Sequence, residues 1–272
     1  MSVAFQKKYW HSRENKHSIL CVGLDPAMPE QRDKKIISAK YLNYPDENEA
    51  RLNFCLDIID STQETCCAYK PNQQYVAGFT KTHHQTLSKA IREVGAISIL
   101  DYKLNDIGDS VNSALFHVRK WGYDSITFNP LLGNIAVSVE EAHRNKPELG
   151  IIVLVLTSNT EALRYQKAAL INGQPLFLAI AEDIQRYKAD GCVVGATGHV
   201  TAEEIRLIRT TVGDDKVFLV PGVGTQKGDP VTAIQAGGKN LLINVSRDII
   251  YDKNPTKKAQ EYNNLFNEAR PF

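Results

Sequence analysis

The stretch Ile97-Ser-Ile-Leu-Asp-Tyr-Lys-Leu-Asn-Asp-Ile-Gly108 changes character twice along its length. It begins as an apolar run, which is typical of a strand buried on both faces. It turns polar at Asp101 and then leads into residues 110–120, where apolar side chains recur at helical spacing. A buried strand that ends in charged residues and is followed at once by a helix is the repeating unit of a parallel α/β sheet.

The same alternation runs along the whole chain. Eight strands, each followed by a helix, favour a (β/α)8 barrel, the TIM-barrel class of α/β fold, over an open doubly wound sheet, which usually has fewer strands. We expect residues 1–272 to form a single barrel domain, with a helix over 3–16 at the barrel bottom and long loops over 28–46 and 157–175. The strands are predicted at 18–24, 66–70, 97–102, 125–128, 151–156, 192–195, 217–220 and 241–245, and the helices at 48–61, 85–94, 110–120, 137–145, 176–189, 202–211, 230–236 and 256–269.

Composition narrows the class of protein. The chain has 272 residues, 43% of them hydrophobic, and its 32 Lys+Arg against 31 Asp+Glu leave a net charge of +1. That balance gives no support for a nucleic-acid partner or a membrane surface. No apolar run reaches the length of a bilayer span, and the first twenty residues lack the layout of a secretory signal. Five cysteines without metal or redox spacing indicate reduced thiols, and hence a cytoplasmic protein.

Charged residues collect where the predicted strands end, which in a barrel is the face that carries active sites. Asp101 and Lys103 are two residues apart, so in an extended strand both side chains face the barrel mouth. Asp106 lies just beyond, and Lys70 ends another strand. A lysine held between carboxylates stays protonated and can donate its proton. The alternative is a structural ion pair, but two acids and two lysines are costly to bury without a function.

A second group of residues is typical of a phosphate site. The loop Pro221-Gly-Val-Gly-Thr-Gln-Lys-Gly-Asp229 follows one strand, and the next strand ends in Asn244-Val-Ser-Arg247. Glycines let the backbone approach a ligand closely, and phosphate sites in barrels often form after the last two strands. The alternative is an ordinary turn beside a surface arginine. Asn129 and Thr197, at other strand ends, are better explained as turn or cap residues, and the adjacent His83 and His84 are expected at the surface.

These residues together make the chain recognisable. It resembles the orotidine 5′-phosphate decarboxylase family, and most closely its longer, bacterial-type branch. The matches span nearly the whole chain in order: Leu24-Asp25-Pro26, Lys70, Asp101-x-Lys103-x-x-Asp106-Ile107, Leu156-Thr157-Ser158, Pro221-Gly-Val-Gly-x-Gln226-x-Gly-Asp229 and Arg247-x-Ile249-Ile250-Tyr251.

The resemblance implies a (β/α)8 barrel that converts orotidine 5′-monophosphate to UMP and CO2 without a metal or an organic cofactor. It implies that Lys103 delivers a proton to C6 of the pyrimidine and that Asp101 sits beside the substrate carboxylate. Asp25 and Lys70 would contact the ribose.

The resemblance also implies roles for the remaining residues. Ser158 would bind the pyrimidine edge, Arg247 the phosphate, and Gln226 would bridge the closed loop to the phosphate; Thr157, Pro221 and Gly224 complete the expected substrate-binding set. Asp106, with Ile107 and Ser110, would reach into the site of a neighbouring subunit, which makes the expected assembly a homodimer.

The sequence departs from the family pattern at two positions. Ser246 precedes Arg247 where glycine is common, and Lys227 stands where a small residue is common. Two alternatives remain open. Related sugar-phosphate aldolases and keto-gulonate-phosphate decarboxylases share the Asp-x-Lys-x-x-Asp motif but use Mg²⁺, with a carboxylate at the position of Lys70. A non-catalytic nucleotide-phosphate binder on the same fold is the other alternative.

Overall fold

The computed structural model describes residues 3–224 and 228–270. The strands are β1 Leu20–Leu24, β2 Ala68–Pro71, β3 Ile97–Leu104, β4 Ser125–Phe128, β5 Gly150–Leu156, β6 Leu170–Ile171, β7 Gln174–Pro175, β8 Gly191–Val194, β9 Val217–Val220 and β10 Leu241–Val245. The α-helices are α1 Val3–Lys16, α2 Glu47–Thr62, α3 Lys81–Glu93, α4 Gly108–Trp121, α5 Ile135–Arg144, α6 Leu176–Tyr187, α7 Ala202–Val212, α8 Pro230–Gly237, α9 Arg247–Ile250 and α10 Pro255–Ala269. A 3-10 helix spans Pro130–Leu132, and a π-helix spans Leu163–Ala168.

Eight strands close into a parallel barrel in the order β1-β2-β3-β4-β5-β8-β9-β10, with β10 pairing back onto β1. The predicted (β/α)8 barrel is therefore confirmed. The sequence did not indicate the short antiparallel hairpin of β6 and β7 or the π-helix before it, both of which lie inside the long loop predicted after β5. The short helix α9, which begins at Arg247 directly after β10, was also not predicted.

The apolar core has two parts, one inside the barrel and one between the barrel and its helices. Adjacent Cys66 and Cys67 fall on opposite sides of this division, as expected for neighbours on a strand. The described cysteines are all buried and free, with no disulfide between them. Along the stretches that the structure describes, no helix is long and apolar enough to cross a membrane.

Helix α1 closes the barrel bottom, as the sequence predicted. Its Phe5 ring lies against Gly150 so closely that a Cβ at that position would come within 2.6 Å of it. The Tyr9 hydroxyl donates to the carbonyl of Leu241, and the Ser12 hydroxyl donates to the carbonyl of Cys67. These acceptors lie at or next to the first residues of strands, so the helix covers the face opposite the strand ends that carry the charged residues.

The prediction that His84 lies at the surface was wrong. Helix α3 begins four residues earlier than predicted, because the Thr80 side chain accepts a hydrogen bond from the backbone of His83 and caps the helix. His84 then falls on the inner face of the helix, where it is 1% exposed. Its ring stacks on Trp121 at 4.1 Å, and its Nδ1 lies 3.0 Å from the Tyr123 hydroxyl. Burial lowers the pKa of His84 to about 4.

This buried histidine makes the fold sensitive to acid. The unfolded chain takes up a proton at His84 below a pH near 6.5, whereas the folded chain does so only near pH 4. Stability is therefore lost as the pH falls through that window, by about 2 kcal/mol between pH 7 and pH 4.5. In His84→Phe, which cannot titrate, we expect the free energy of unfolding to fall less steeply over the same range. Urea unfolding at several pH values measures it.

The matched control is His117→Phe, because His117 is exposed on the neighbouring helix. This control should keep the pH dependence of the wild type. Equal pH dependence in the wild type and His84→Phe would contradict the assignment.

Candidate active site

A cavity of about 470 Å³ opens at the C-terminal ends of the barrel strands. It brings together eight of the residues predicted from the sequence: Asp25, Lys70, Asp101, Lys103, Thr157, Ser158, Pro221 and Arg247. It also exposes polar side chains that the sequence analysis did not select as site residues: Asn72, Thr127, Asn159, Gln166, Asn244 and Ser246.

The centre of the cavity is a carboxylate between two ammonium groups. Asp101 Oδ2 lies 2.6 Å from Lys70 Nζ, and Asp101 Oδ1 lies 2.8 Å from Lys103 Nζ. Lys70 is buried, whereas the side chain of Lys103 is 50% exposed and faces the open cavity. A ligand in the cavity can therefore contact the ammonium group of Lys103 directly, whereas Lys70 is buried against Asp101.

The charges in this array stabilise one another. Burial opposes ionisation of Asp101, but the positive charges of Lys70 and Lys103 outweigh it and hold the pKa of Asp101 well below its usual range. Burial likewise opposes the charged form of Lys70, yet Asp101 and Asp25 raise the pKa of Lys70 above its ordinary value. Both groups consequently remain charged at neutral pH.

Lys103 reaches Asp101 by a route that the sequence did not indicate. An extended strand was predicted through Asp101 and Lys103, but Lys103 has a φ of +49°, in the left-handed region. The pairing of β3 with β4 shifts register between Leu100 and Leu104, so the strand bulges at this point. The two side chains meet as expected, and the physical reason is the bulge rather than strand periodicity.

Thr127 on β4 contacts both members of the motif. Its Oγ1 accepts a hydrogen bond from the backbone N–H of Lys103 at 2.9 Å and donates one to Asp101 Oδ1 at 2.9 Å. Thr127 was not predicted as a site residue. Ser125 and Thr127 alternate with Ile126 and Phe128, and this polar alternation within a strand is a signal that could have indicated an inward-facing hydroxyl.

Asp25 presents one unpaired oxygen. The Ser246 hydroxyl donates to Asp25 Oδ2, whereas Asp25 Oδ1 is buried and has no partner among the described residues. Glycine is required at Gly23, because a Cβ there would lie 2.8 Å from the Cβ of Ser246. Ser246, which departs from the family pattern, thus occupies space left by a glycine and orients the carboxylate of Asp25.

A backbone hydrogen bond joins the two ends of the glycine-rich loop after β9. The N–H of Gly228 donates to the carbonyl of Gly222 at 2.9 Å, and a Cβ at Gly228 would lie 2.5 Å from that oxygen. Gly222 and Gly224 both have positive φ, and Gly224 lies beside Asp248 rather than among the residues that line the cavity. The predicted phosphate contact Gln226 and its neighbour Lys227 lie outside the described residues.

The predicted residues after β3 do not join this cavity. Asp106, Ile107 and Ser110 are exposed at the start of α4, and the Ile107 side chain is 59% exposed. The Asp106 carboxylate accepts a hydrogen bond from the N–H of Ile107. Within residues 3–224 and 228–270, no cluster of three or more His, Cys, Asp or Glu side chains is arranged to hold a metal ion.

The chemistry of the cavity defines a class of protein. Ammonium groups, carboxylates and Arg247 gather at the C-terminal face of a (β/α)8 barrel, which is where enzymes of this fold bind and transform small molecules. The positive groups suit a small anionic ligand.

Comparison with known proteins gives the family. The sequence profile of the orotidine 5′-phosphate decarboxylase / HUMPS family matches residues 18–262, and the chain belongs to this family. It is 31% identical over 270 residues to the orotidine 5′-phosphate decarboxylase of Janthinobacterium sp. (strain Marseille), covering 96% of this chain and 93% of that protein. The corresponding enzyme of Bordetella pertussis is 33% identical over 261 residues, covering 92% of this chain and 90% of that one.

Solved structures agree with this assignment. The OMP decarboxylase of Leishmania donovani superposes with a TM-score of 0.78 at 27% identity, covering 99% of each chain. The UMP synthase of the same organism gives a TM-score of 0.79 at 28% identity, covering 99% of this chain and 57% of that one.

The charge array also affects stability. In Asp101→Asn, two ammonium groups lose their shared buried anion, and breaking such a pair costs about 3 kcal/mol. We expect the free energy of unfolding, measured in urea at pH 7, to fall by that amount. The control Asp109→Asn, at an exposed aspartate of α4, should change it far less. A similar loss of unfolding free energy in both variants would show that the ion pairs of Asp101 do not stabilise the folded chain.

Proposed function

We propose that this protein decarboxylates orotidine 5′-monophosphate to UMP and CO2, the last step of de novo pyrimidine synthesis. The observation that carries the proposal is the Lys70–Asp101–Lys103 array, which lies in one cavity with Arg247. Family membership over nearly the whole chain supports it. We also propose that residues 1–272 form one barrel domain and that the protein is cytoplasmic.

In the proposed reaction, the bond between C6 and the carboxyl carbon breaks, and its electron pair stays on C6. Lys103 stabilises this developing negative charge through its ammonium group and then transfers a proton from Nζ to C6. Fixed charges do this well because they need no reorganisation when the reaction occurs. Asp101 holds the Lys103 ammonium at 2.8 Å and places a negative charge beside the departing carboxylate. Lys70 stabilises Asp101 from the buried side.

The rest of the substrate would be bound by residues around the rim of the cavity. Asp25 accepts a hydrogen bond from a ribose hydroxyl through its unpaired Oδ1, and Arg247 binds the phosphate, which suits its bidentate guanidinium group. Because the phosphate is remote from the breaking bond, its binding energy can be used to close the site and lower the barrier. The proposed substrate-binding set also includes Thr157, Ser158, Pro221, Gly224 and Gln226.

We further propose a homodimer in which Asp106, Ile107 and Ser110 complete the site of the partner subunit. Two observations support this. Asp106 and Ile107 are exposed and lie away from the cavity of their own chain. The Asn134 side chain donates to the carbonyl of Asp106. The apolar residues Ile107, Leu131 and Leu132 are all exposed. Large apolar side chains left exposed in this part of the chain suit an interface between copies.

The first experiment follows the ultraviolet absorbance of orotidine 5′-monophosphate with the purified protein in excess EDTA. We expect the substrate absorbance to be lost and UMP to form. Turnover of a sugar phosphate that requires Mg²⁺, with no loss of orotidine 5′-monophosphate, would assign the protein to the aldolase-like relatives instead. Tight binding of UMP without any turnover would indicate a non-catalytic binder.

In the same assay, Lys103→Ala should abolish turnover, because it removes both the stabilising charge and the proton donor. Binding of UMP, measured by calorimetry, should survive, because the phosphate and ribose contacts remain. The control is Lys89→Ala, at an exposed lysine of α3. Substantial turnover by Lys103→Ala would rule out its role as proton donor.

The shared site can be tested by mixing two inactive variants. If Asp106 acts across the interface, a dimer of one Lys103→Ala chain and one Asp106→Asn chain contains one intact site. After subunits exchange in an equal mixture, we expect about a quarter of the wild-type activity. Each variant alone is the control. No recovery, with exchange verified by a tagged chain, would mean that Asp106 acts only within its own chain.

A further inference from the structure

Thr127 contacts both Lys103 and Asp101 from the neighbouring strand β4. It is fully buried in the barrel wall, and its hydroxyl lies between the backbone of Lys103 and the carboxylate of Asp101. We infer that Thr127 is a positioning residue, whose hydroxyl fixes both the Lys103 backbone and the Asp101 carboxylate in the arrangement that the chemistry requires. This inference rests on the proposed function.

The bulge in β3 explains why Lys103 needs such a partner. Leu100 pairs with Ile126 and Leu104 pairs with Phe128, so the three residues from Asp101 to Lys103 lie opposite Thr127 alone. The regular ladder of backbone hydrogen bonds is interrupted there. The N–H of Lys103 donates to the side chain of Thr127 in place of a backbone carbonyl. This bond holds a non-glycine residue at a φ of +49°, a conformation that persists only where its surroundings enforce it.

The direction of each hydrogen bond is fixed by chemistry. A backbone N–H is only a donor, and an ionised carboxylate is only an acceptor. The Thr127 hydroxyl therefore accepts from Lys103 and directs its single proton to Asp101 Oδ1. The Lys103 ammonium donates to that same oxygen. The Thr127 hydroxyl therefore holds the Lys103 backbone directly. It holds the Lys103 ammonium indirectly, through the carboxylate oxygen that both groups contact.

This arrangement predicts which kinetic constant depends on Thr127. The residue supports the reacting ammonium group and the carboxylate beside it, whereas the proposed phosphate contact Arg247 and ribose contact Asp25 come from other strands. Loss of the hydroxyl should lower kcat and leave KM nearly unchanged, because the support is needed where charge develops in the transition state.

The test compares Thr127→Val, which keeps the shape and removes the hydroxyl, with Thr127→Ser, which keeps the hydroxyl. We expect Val to lower kcat by about tenfold or more, with KM within about threefold of the wild type, and Ser to restore kcat to within about threefold. The matched control is Thr62→Val, a buried threonine on α2 whose hydroxyl bonds to Ile58 and Tyr69, and it should leave kcat unchanged. Thermal unfolding and UMP binding identify variants that fold.

If Thr127→Val does not fold, Thr127→Ala removes the same hydroxyl without a second methyl group and should show the same loss in kcat. An unchanged kcat in the folded hydroxyl-free variant overturns the inference while the proposed function stands. So does a loss of kcat that a folded Thr127→Ser fails to restore. If the wild type itself does not decarboxylate orotidine 5′-monophosphate, the proposed function fails first and the inference fails with it.

Discussion

The carboxylate of Asp101 connects three neighbouring strands through its hydrogen bonds. Oδ2 contacts Lys70 from β2, whereas Oδ1 receives the Lys103 ammonium from β3 and the Thr127 hydroxyl from β4. No pair of these side chains would hold the arrangement without the barrel, because adjacent parallel strands are what bring their C-terminal ends to one place. Buried ion pairs contribute little to stability on balance. Their cost is instead consistent with a site in which charge must be fixed before the substrate arrives.

The two ends of the barrel differ in what their residues do. The bottom is packed for stability, and the top carries the groups of the candidate active site. At the bottom, Phe5 and Tyr9 of α1 pack into the apolar interior, and hydrogen bonds tie the helix to the strand ends. At the top, Lys103 has a left-handed backbone, and Asp25 carries a buried oxygen without a partner among the described residues. A well-packed base allows such costly features to persist at the opposite face.

The helices and strands of the barrel were predictable, because the spacing of apolar residues along the sequence differs between buried strands and helices. Apolar runs of strand length predicted eight strands, and polar residues after most of these runs line the cavity, whereas Asn129 and Thr197 do not. The bulge at Lys103 was not predictable in this way, because it depends on how β3 pairs with β4 and leaves no local pattern. His84 was misplaced because the helix start depends on Thr80, four residues before it. The hairpin after β5 is similarly too short for periodicity to reveal.

The two carboxylates at the barrel mouth differ in what they still require. Both oxygens of Asp101 already accept hydrogen bonds within the chain, so in the proposed reaction this carboxylate acts on the substrate mainly through its charge. Asp25 has one oxygen occupied by Ser246 and the other unpaired. A buried acceptor without a partner is costly, and a ligand hydroxyl placed there would remove that cost. In the proposed reaction, Asp25 therefore contributes recognition of the ribose, and Asp101 contributes the field that acts on the carboxylate.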